Sequence, residues 1–388
     1  MKKRIFMSVL MLSAIVTMAA CGGSDTQNST GSDAKKTTET SSKKEQTNNT
    51  DKKSSVETKV DKLMEKMTLE EKVGQLFLAR VPEQNQIADI ENYHLGGYLL
   101  FDRDMEGKGQ SDLKQTIASY QAASKTPMFI ASDEEGGTVS RLSRNQIVTP
   151  AFASPQAIYQ KDGWDGITKD IERKAQIFKE LGIQLGMFPD ADVSTDPQSF
   201  IYDRTIGMDA EGTSKYVSLS VEEMKKQKVG STLKHFPGYG NNRDSHVEIV
   251  TDDRPIDELR KNDFVPFEAG IKAGADSIMV SHNIIQAIDG NRPASISKPV
   301  HDTIRNELGF KGVIMTDDMD MAGLADFISQ DEAGLQALQA GNDLVLSSSY
   351  STQIPYILNA IKKGEYSEQQ LDQSLERLLT WKAELGVI

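Results

Sequence analysis

Short apolar runs alternate with longer amphipathic stretches from residue 61 to residue 388, and this alternation leaves few folds open. Eight runs have the length and composition of buried strands: Val73–Ala79, Gly97–Phe101, Met128–Ser132, Ile183–Phe188, Val229–Lys234, Ser277–Ser281, Gly312–Thr316 and Asp343–Ser347. Stretches with helical spacing lie between most of them: Ser111–Ala123, Thr168–Leu181, Glu211–Gln227, Pro255–Ala273 and Lys298–Leu308. Buried strands that alternate with helices form parallel sheets. The pattern predicts a single-domain α/β fold, a (β/α)8 barrel of the TIM type that the helix Ser367–Leu385 closes.

An open, doubly wound sheet is the alternative arrangement of alternating strands and helices. Such sheets carry a glycine-rich phosphate-binding fingerprint directly after the first strand when they bind dinucleotides. No such fingerprint follows Val73–Ala79 in this sequence. The closed barrel is therefore the better prediction, and it occupies the whole of residues 61–388 without a second domain.

The first 60 residues are predicted to lie outside the barrel. Residues 1–20 have a basic start, an apolar core and a small-residue end, which is the pattern of a secretory signal. Because this segment ends directly before Cys21, it resembles a bacterial lipoprotein signal in which Cys21 becomes the lipid anchor. Residues 21–60 are mostly polar and cannot bury enough apolar surface to offset their ordering entropy, so they are predicted to form a flexible linker. We expect attachment to the extracytoplasmic face of the cell membrane through the lipid anchor alone.

Composition excludes several classes of function. The chain carries a formal net charge of −13 and supplies no basic stripe, which argues against nucleic-acid binding. With a single cysteine, neither an intrachain disulfide nor a cysteine-based metal cluster can form. The histidines at 235, 246 and 282 do not have the spacing of a zinc-binding helix pair. We therefore expect no metal and no cofactor.

Ionisable residues follow one predicted strand after another, at the end where barrel enzymes place their chemistry. In chain order these are Asp133 with Arg141, then Asp190, Asp192 and Arg204, then Lys234 and His235 with Asp244 and His246, then His282 and Asn283, and then Asp317 and Asp318. A pocket lined by carboxylates, arginine and lysine offers paired donors and acceptors. Such pairs match a neutral substrate rich in hydroxyl groups, such as a sugar.

Asp317 is the strongest candidate for a nucleophile. It follows the apolar run Val313–Thr316, so its carboxylate is well placed to attack an anomeric carbon. The alternative is a structural role as the N-cap of the following helix, which Asp318 could serve equally well. For Asp192 a structural hydrogen bond is favoured over catalysis, and His282 either lines the pocket or binds backbone groups.

Five motifs together resemble glycoside hydrolase family 3, and within it the β-N-acetylglucosaminidase branch. They are Met67-Thr-Leu-Glu-Glu-Lys-Val-Gly-Gln75, Asp133-Glu-Glu-Gly-Gly137 with Arg141, Lys234-His-Phe-Pro-Gly238, Asp244-Ser-His246 and Met315-Thr-Asp-Asp-Met319. The resemblance runs from about Lys59 to the end of the sequence, and the motifs occur in the family's order. It implies a TIM-like barrel, in agreement with the strand pattern.

The resemblance also implies roles for individual residues. Asp317 would form a covalent glycosyl-enzyme with net retention, and His246 paired with Asp244 would act as the acid/base. The sugar hydroxyls would be bound by five residues: Asp133, Arg141, Arg204, Lys234 and His235. Since no second domain follows the barrel here, the acid/base is expected from within it. A neutral imidazole does not repel an anionic nucleophile, and its unperturbed pKa near 6.5 lets it both give and take a proton.

Three positions depart from the family's common pattern. Tyr239 stands where many members of the branch have histidine, Glu134 replaces a common glutamine, and Asp203-Arg204-Thr205 replaces Asn-Arg-Ser. These departures bear on leaving-group preference and on the loop after the fifth strand.

The function implied is a monomeric retaining exo-glycosidase that removes terminal β-N-acetylglucosamine from peptidoglycan fragments or chito-oligosaccharides. A β-glucosidase, a β-xylosidase or a glycoside phosphorylase of the same family remains open as an alternative. A tethered sugar-binding lipoprotein without catalysis is the alternative from another class.

Overall fold

The computed structural model describes residues 55–245 and 247–388. The predicted signal sequence, Cys21 and His246 lie outside the described residues. Residues 55–64 form a helix, and its Val60 side chain is buried in the main apolar core. Residues 55–60 therefore belong to the folded part and not to the predicted linker, because Val56 and Val60 share an apolar face with Leu63.

Each of the eight predicted runs overlaps a strand, although the first strand extends one residue beyond its run and the fifth extends two residues beyond Lys234. The strands are β1 (Phe77–Arg80), β2 (Gly97–Leu100), β3 (Phe129–Ser132), β4 (Leu185–Gly186), β5 (Thr232–Phe236), β6 (Ser277–Val280), β7 (Val313–Thr316) and β8 (Val345–Ser347). All their mutual pairings are parallel. The predicted start of the first strand is wrong, because Val73 to Gln75 lie in a helix. The apolar face of that helix continues into β1 without a polar residue between them, so the sequence shows no boundary.

The strands close into a barrel in chain order. Hydrogen-bonded ladders join β8 to β1 and continue to β4, and a second set joins β5 to β7. Parallel bridges between Asp190 and Lys234 and between Met315 and Leu344 connect the two sets. The predicted (β/α)8 barrel is confirmed.

Helices surround the barrel and fill most of the connections. Besides residues 55–64 they are Leu69–Gln75, Gln86–Tyr93, Asp102–Met105, Gln110–Ala123, Arg141–Arg144, Pro155–Leu181, Ala210–Gln227, Ile256–Lys261, Phe264–Ala273, Lys298–Asp302, Ala322–Ala325, Gln330–Ala340, Tyr350–Lys363 and Glu368–Glu384. A 3₁₀ turn spans Ala294–Ile296, and a π-helical segment spans Thr303–Glu307. Within the described ranges, none of the helices has the length and apolar character needed to cross a membrane.

Register places the functional residues at one end of the barrel. Ser132 of β3 pairs with Gly186 of β4, and Val280 of β6 pairs with Thr316 of β7. The residues that follow these pairs therefore leave the barrel at the same level. The Asp317 backbone N–H continues the ladder by donating to the Val280 carbonyl at 2.9 Å.

Candidate active site

One cavity of about 180 Å³ opens at the C-terminal ends of the strands. It is lined by six of the predicted site residues: Asp133, Arg141, Arg204, Lys234, His235 and Asp317. These residues come from different strand ends that lie far apart in the sequence, and the barrel brings them together. Asp244 is not among the described residues that line this cavity.

A network of alternating charges forms the floor of the cavity. The Lys234 ammonium contacts Asp133 at 2.8 Å and Glu135 at 2.7 Å. Arg204 binds both Glu135 carboxylate oxygens, at 3.0 and 2.8 Å, and Arg141 donates to Asp133 at 3.1 Å. Each carboxylate therefore faces two cations, which fixes its position and its charge.

The pKa values of the two carboxyl groups follow from these contacts. Burial alone would raise the pKa of Asp133, but the charges of Lys234 and Arg141 outweigh it and hold that pKa well below its usual range. Burial is likewise outweighed at Glu135, whose pKa Arg204 and Lys234 lower. Both groups are therefore anionic acceptors at neutral pH.

Glu135 was not predicted as a site residue. The two glutamates of Asp133-Glu-Glu-Gly-Gly137 point to different partners: Glu135 joins the charged network, whereas Glu134 accepts from Ser132 Oγ at 3.0 Å and the Leu142 N–H at 2.8 Å. Burial raises the pKa of Glu134 to about 7. Successive side chains of an extended segment point to opposite sides, so the sequence could have indicated that Glu134 and Glu135 have different surroundings.

His235 is oriented by Asp192 and Arg204. Its Nε2 lies 3.1 Å from Arg204 Nη2, which can only donate, so Nε2 accepts and the proton resides on Nδ1. Nδ1 then donates to Asp192 Oδ2 at 2.8 Å. Burial and the Arg204 charge lower the pKa of His235, and the ring is neutral. The structural role predicted for Asp192 matches these contacts.

Asp190, Asp192 and His235 also place one ligand atom each within 4.8 Å of one another. A cation does not fit this group, for two reasons. The Nδ1 lone pair of His235 is occupied by its proton, and the Arg204 guanidinium already lies 3.8 Å from Asp190. The donor set therefore favours a hydrogen-bonded cluster over a metal centre.

Asp317 lies at the end of β7 with its carboxylate at the cavity wall. Its Oδ1 accepts from the Asp318 backbone N–H at 2.8 Å. The next helix, Ala322–Ala325, has Met321 at its N-cap position, so neither aspartate caps it. The alternative structural role that the sequence left open for Asp317 is therefore excluded.

Asp318 forms a second set of contacts beside Asp317. Its carboxylate pairs with Arg80, and burial raises the pKa of Asp318 to about 6. His282 does not line the cavity; its Nε2 lies 2.9 Å from the Asp318 carbonyl oxygen and supports that backbone.

Arg80 and Phe101 were not predicted as site residues. The Arg80 guanidinium lies 4.7 Å from the centre of the Phe101 ring, and Arg141 lies 5.0 Å from it, so two cations flank one aromatic wall. Arg80 directly follows the first predicted run and Phe101 ends the second, so position at a strand end was the signal that could have identified both.

The loop after β5 carries the predicted acid/base pair. His246 itself lies outside the described residues. The neighbouring Ser245 is buried, and it contacts both Tyr239 and Gly323.

The sequence matches the family described as "Glycosyl hydrolase family 3 N terminal domain" over residues 68–381. Beta-hexosaminidase A of Pseudoalteromonas piscicida is 29% identical over 333 residues, which cover 78% of this chain and 55% of that protein. A beta-hexosaminidase of Stenotrophomonas maltophilia (strain K279a) is 34% identical over 269 residues, or 66% of this chain and 77% of that protein.

Among solved structures, the fold is similar to a glycoside hydrolase family 3 beta-N-acetylglucosaminidase from Paenibacillus sp. str. FPU-7. The TM-score is 0.78 at 28% identity, and the match covers 83% of this chain and 63% of that one. The chain thus spans less than two thirds of that structure and little more than half of the Pseudoalteromonas protein.

Proposed function

Because this chain belongs to glycosyl hydrolase family 3, we propose that it is a retaining exo-β-N-acetylglucosaminidase. The observation that carries the proposal is the single cavity in which Asp317 faces the Asp133–Lys234–Arg204 network. A nucleophilic carboxylate and a set of fixed hydroxyl-binding groups are the two components that hydrolysis of a terminal sugar requires.

In the first step, a carboxylate oxygen of Asp317 bonds to the anomeric carbon as the bond from that carbon to the leaving oxygen breaks. The leaving oxygen takes a proton from the His246 imidazolium, which Asp244 supports. In the second step a water molecule gives a proton back to His246 and its oxygen displaces Asp317. Two displacements at one carbon give net retention.

The charged network has a positioning role in this scheme. Asp133 retains acceptor capacity for sugar hydroxyls, while Arg141 and Lys234 hold it in place. Because these groups are fixed before the substrate arrives, little reorganisation is needed when charge develops at the anomeric carbon.

The preference for an acetamido sugar rests on the apolar part of the same cavity. Met279, Met321 and Leu346 line it together with Asp317. A methyl group buried against such side chains contributes favourable transfer free energy that glucose or xylose cannot supply. This wall favours N-acetylglucosamine over the two unsubstituted sugars.

The proposal includes a location. We propose that residues 1–20 are a lipoprotein signal and that Cys21 carries the lipid anchor, so that a monomeric enzyme would act outside the cytoplasmic membrane. Peptidoglycan fragments and chito-oligosaccharides are the substrates within reach there.

The test compares nitrophenyl β-glycosides of N-acetylglucosamine, glucose and xylose, each with and without phosphate. We expect kcat/KM for the N-acetylglucosamine compound to exceed the others by about 10²-fold, with no dependence on phosphate. Faster turnover of glucose or xylose would contradict the specificity, and a requirement for phosphate would indicate a phosphorylase. Sugar binding without turnover would favour the non-catalytic lipoprotein.

A further inference from the structure

Ser245, the central residue of Asp244-Ser245-His246, is held from two sides. Its hydroxyl lies 2.6 Å from the Tyr239 hydroxyl, and its backbone carbonyl accepts from the Gly323 N–H at 3.1 Å. Ser245 and Tyr239 are both fully buried. The loop after β5 is therefore anchored at the residue that joins the two members of the proposed acid/base pair.

The Tyr239 backbone and ring are held by several contacts. The Tyr239 backbone N–H donates to Asp192 Oδ1 at 2.6 Å. Its ring packs edge-on against Phe200 and His235, with centroids 5.0 and 5.1 Å apart. Burial raises the pKa of Tyr239 well above its usual value, so the hydroxyl stays protonated. The contacts with Asp192, Phe200 and His235 therefore fix the position of the Tyr239 hydroxyl.

The hydrogen bond from the Gly323 N–H to the Ser245 carbonyl connects the loop after β5 to the segment that follows the nucleophile Asp317. Gly323 lies six residues after Asp317, in the helix Ala322–Ala325. A Cβ at this position would lie 2.5 Å from the Ser245 carbonyl oxygen and 3.0 Å from that of Glu248. Both contacts are with backbone, so any side chain here would push the loop away from the end of β7.

We propose that the Tyr239 hydroxyl and the Gly323 N–H are positioning groups for the acid/base. Together they hold Ser245, the residue between the two members of the proposed acid/base pair, against the segment that follows the nucleophile strand. The inference rests on the proposed function, because it needs a proton donor on this loop. The inference assigns a positioning role to Tyr239, one of the three positions at which the sequence departs from the family's common pattern.

The test uses Tyr239→Phe, which keeps the ring packing and removes only the hydroxyl. Acid assistance matters for a poor leaving group and little for an activated one. We expect kcat/KM for the phenyl β-glycoside of N-acetylglucosamine to fall at least about 10-fold, and that for the 2,4-dinitrophenyl glycoside by less than about 3-fold. Tyr98→Phe is the matched control, since it removes a buried hydroxyl that binds the Gln86 carbonyl instead; both rates should be unchanged.

A second variant acts from the other side of the loop. Gly323→Ala displaces the loop backbone and should produce the same selective loss on the phenyl glycoside. Gly334→Ala, where the nearest atom to a new Cβ is the flexible end of Gln353 at 3.1 Å, is its control.

Two outcomes would overturn the inference, and they are distinguishable. Equal losses on both glycosides, or no loss, in Tyr239→Phe and Gly323→Ala would remove the positioning role while the proposed function stands. A wild type that turns over neither glycoside would overturn the proposed function and the inference with it.

Discussion

Replacing Asp317 by alanine is expected to lower kcat for every β-glycoside substrate by at least about 10³-fold. The variant loses the only group proposed to bond to the anomeric carbon, whereas the Asp133–Lys234–Arg204 network remains. Binding of N-acetylglucosamine should therefore stay measurable by calorimetry. An Asp317→Ala enzyme with an unaffected rate would remove this residue from the mechanism.

Azide separates a lost nucleophile from a damaged fold. A small anion that enters the space left by the Asp317 carboxylate can attack the anomeric carbon of an activated glycoside. Turnover should then return, and the product should be the glycosyl azide of inverted configuration. Asp326→Ala, which removes an exposed carboxylate nine residues further along, is the matched control and should behave as the wild type.

Replacing Lys234 by methionine is expected to have the largest effect on stability. The Lys234 side chain is 3% exposed, and its ammonium lies between Asp133 and Glu135. Removing one partner of a buried charge cluster leaves the others uncompensated and costs about 3–5 kcal/mol in the free energy of unfolding. Chemical denaturation at pH 7 measures this loss. Lys226→Met, at an exposed lysine that pairs with Glu223, should change little.

The pH dependence of that loss identifies its cause. In the wild type the pKa values of Asp133 and Glu135 are lowered, so their contribution to stability is present above the unfolded pKa of about 4 and is lost below it. Without the lysine, burial dominates and these pKa values rise. The difference in free energy of unfolding between the wild type and Lys234→Met should therefore be largest at pH 7. It should shrink towards pH 4, as Asp133 and Glu135 of the variant take up protons. A deficit independent of pH would indicate lost packing instead.

The barrel was predictable because its signals are local. Runs such as Met128–Ser132 and Gly312–Thr316 have strand length and are each followed directly by an aspartate, and both contain strands in the structure. The first run was misplaced because the apolar face of the helix Leu69–Gln75 continues into β1 without a polar break. Periodicity cannot locate such a boundary.

The candidate site was predictable only in part. Asp133 and Asp317 are marked by their places directly after strands and Lys234 by its place at the end of a predicted run, and all three line one cavity. Arg80 directly follows the first predicted run, so the same signal marks it, although it was not predicted as a site residue. For Glu135 the distinguishing feature is a partner far away in the sequence, Arg204. Pairings of that kind depend on barrel closure and not on spacing.

The most direct measurement is covalent trapping with 5-fluoro-β-N-acetylglucosaminyl fluoride, followed by mass spectrometry of the digested protein. The ring fluorine slows both attachment and release of the sugar, because it destabilises the positive charge that develops at the anomeric carbon. The fluoride leaving group speeds attachment only, so a glycosyl-enzyme should accumulate. We predict one added fluorosugar, bonded to Asp317. A label on any other carboxylate, or inactivation without a covalent adduct while the wild type still turns over substrate, would contradict the nucleophile that this barrel presents.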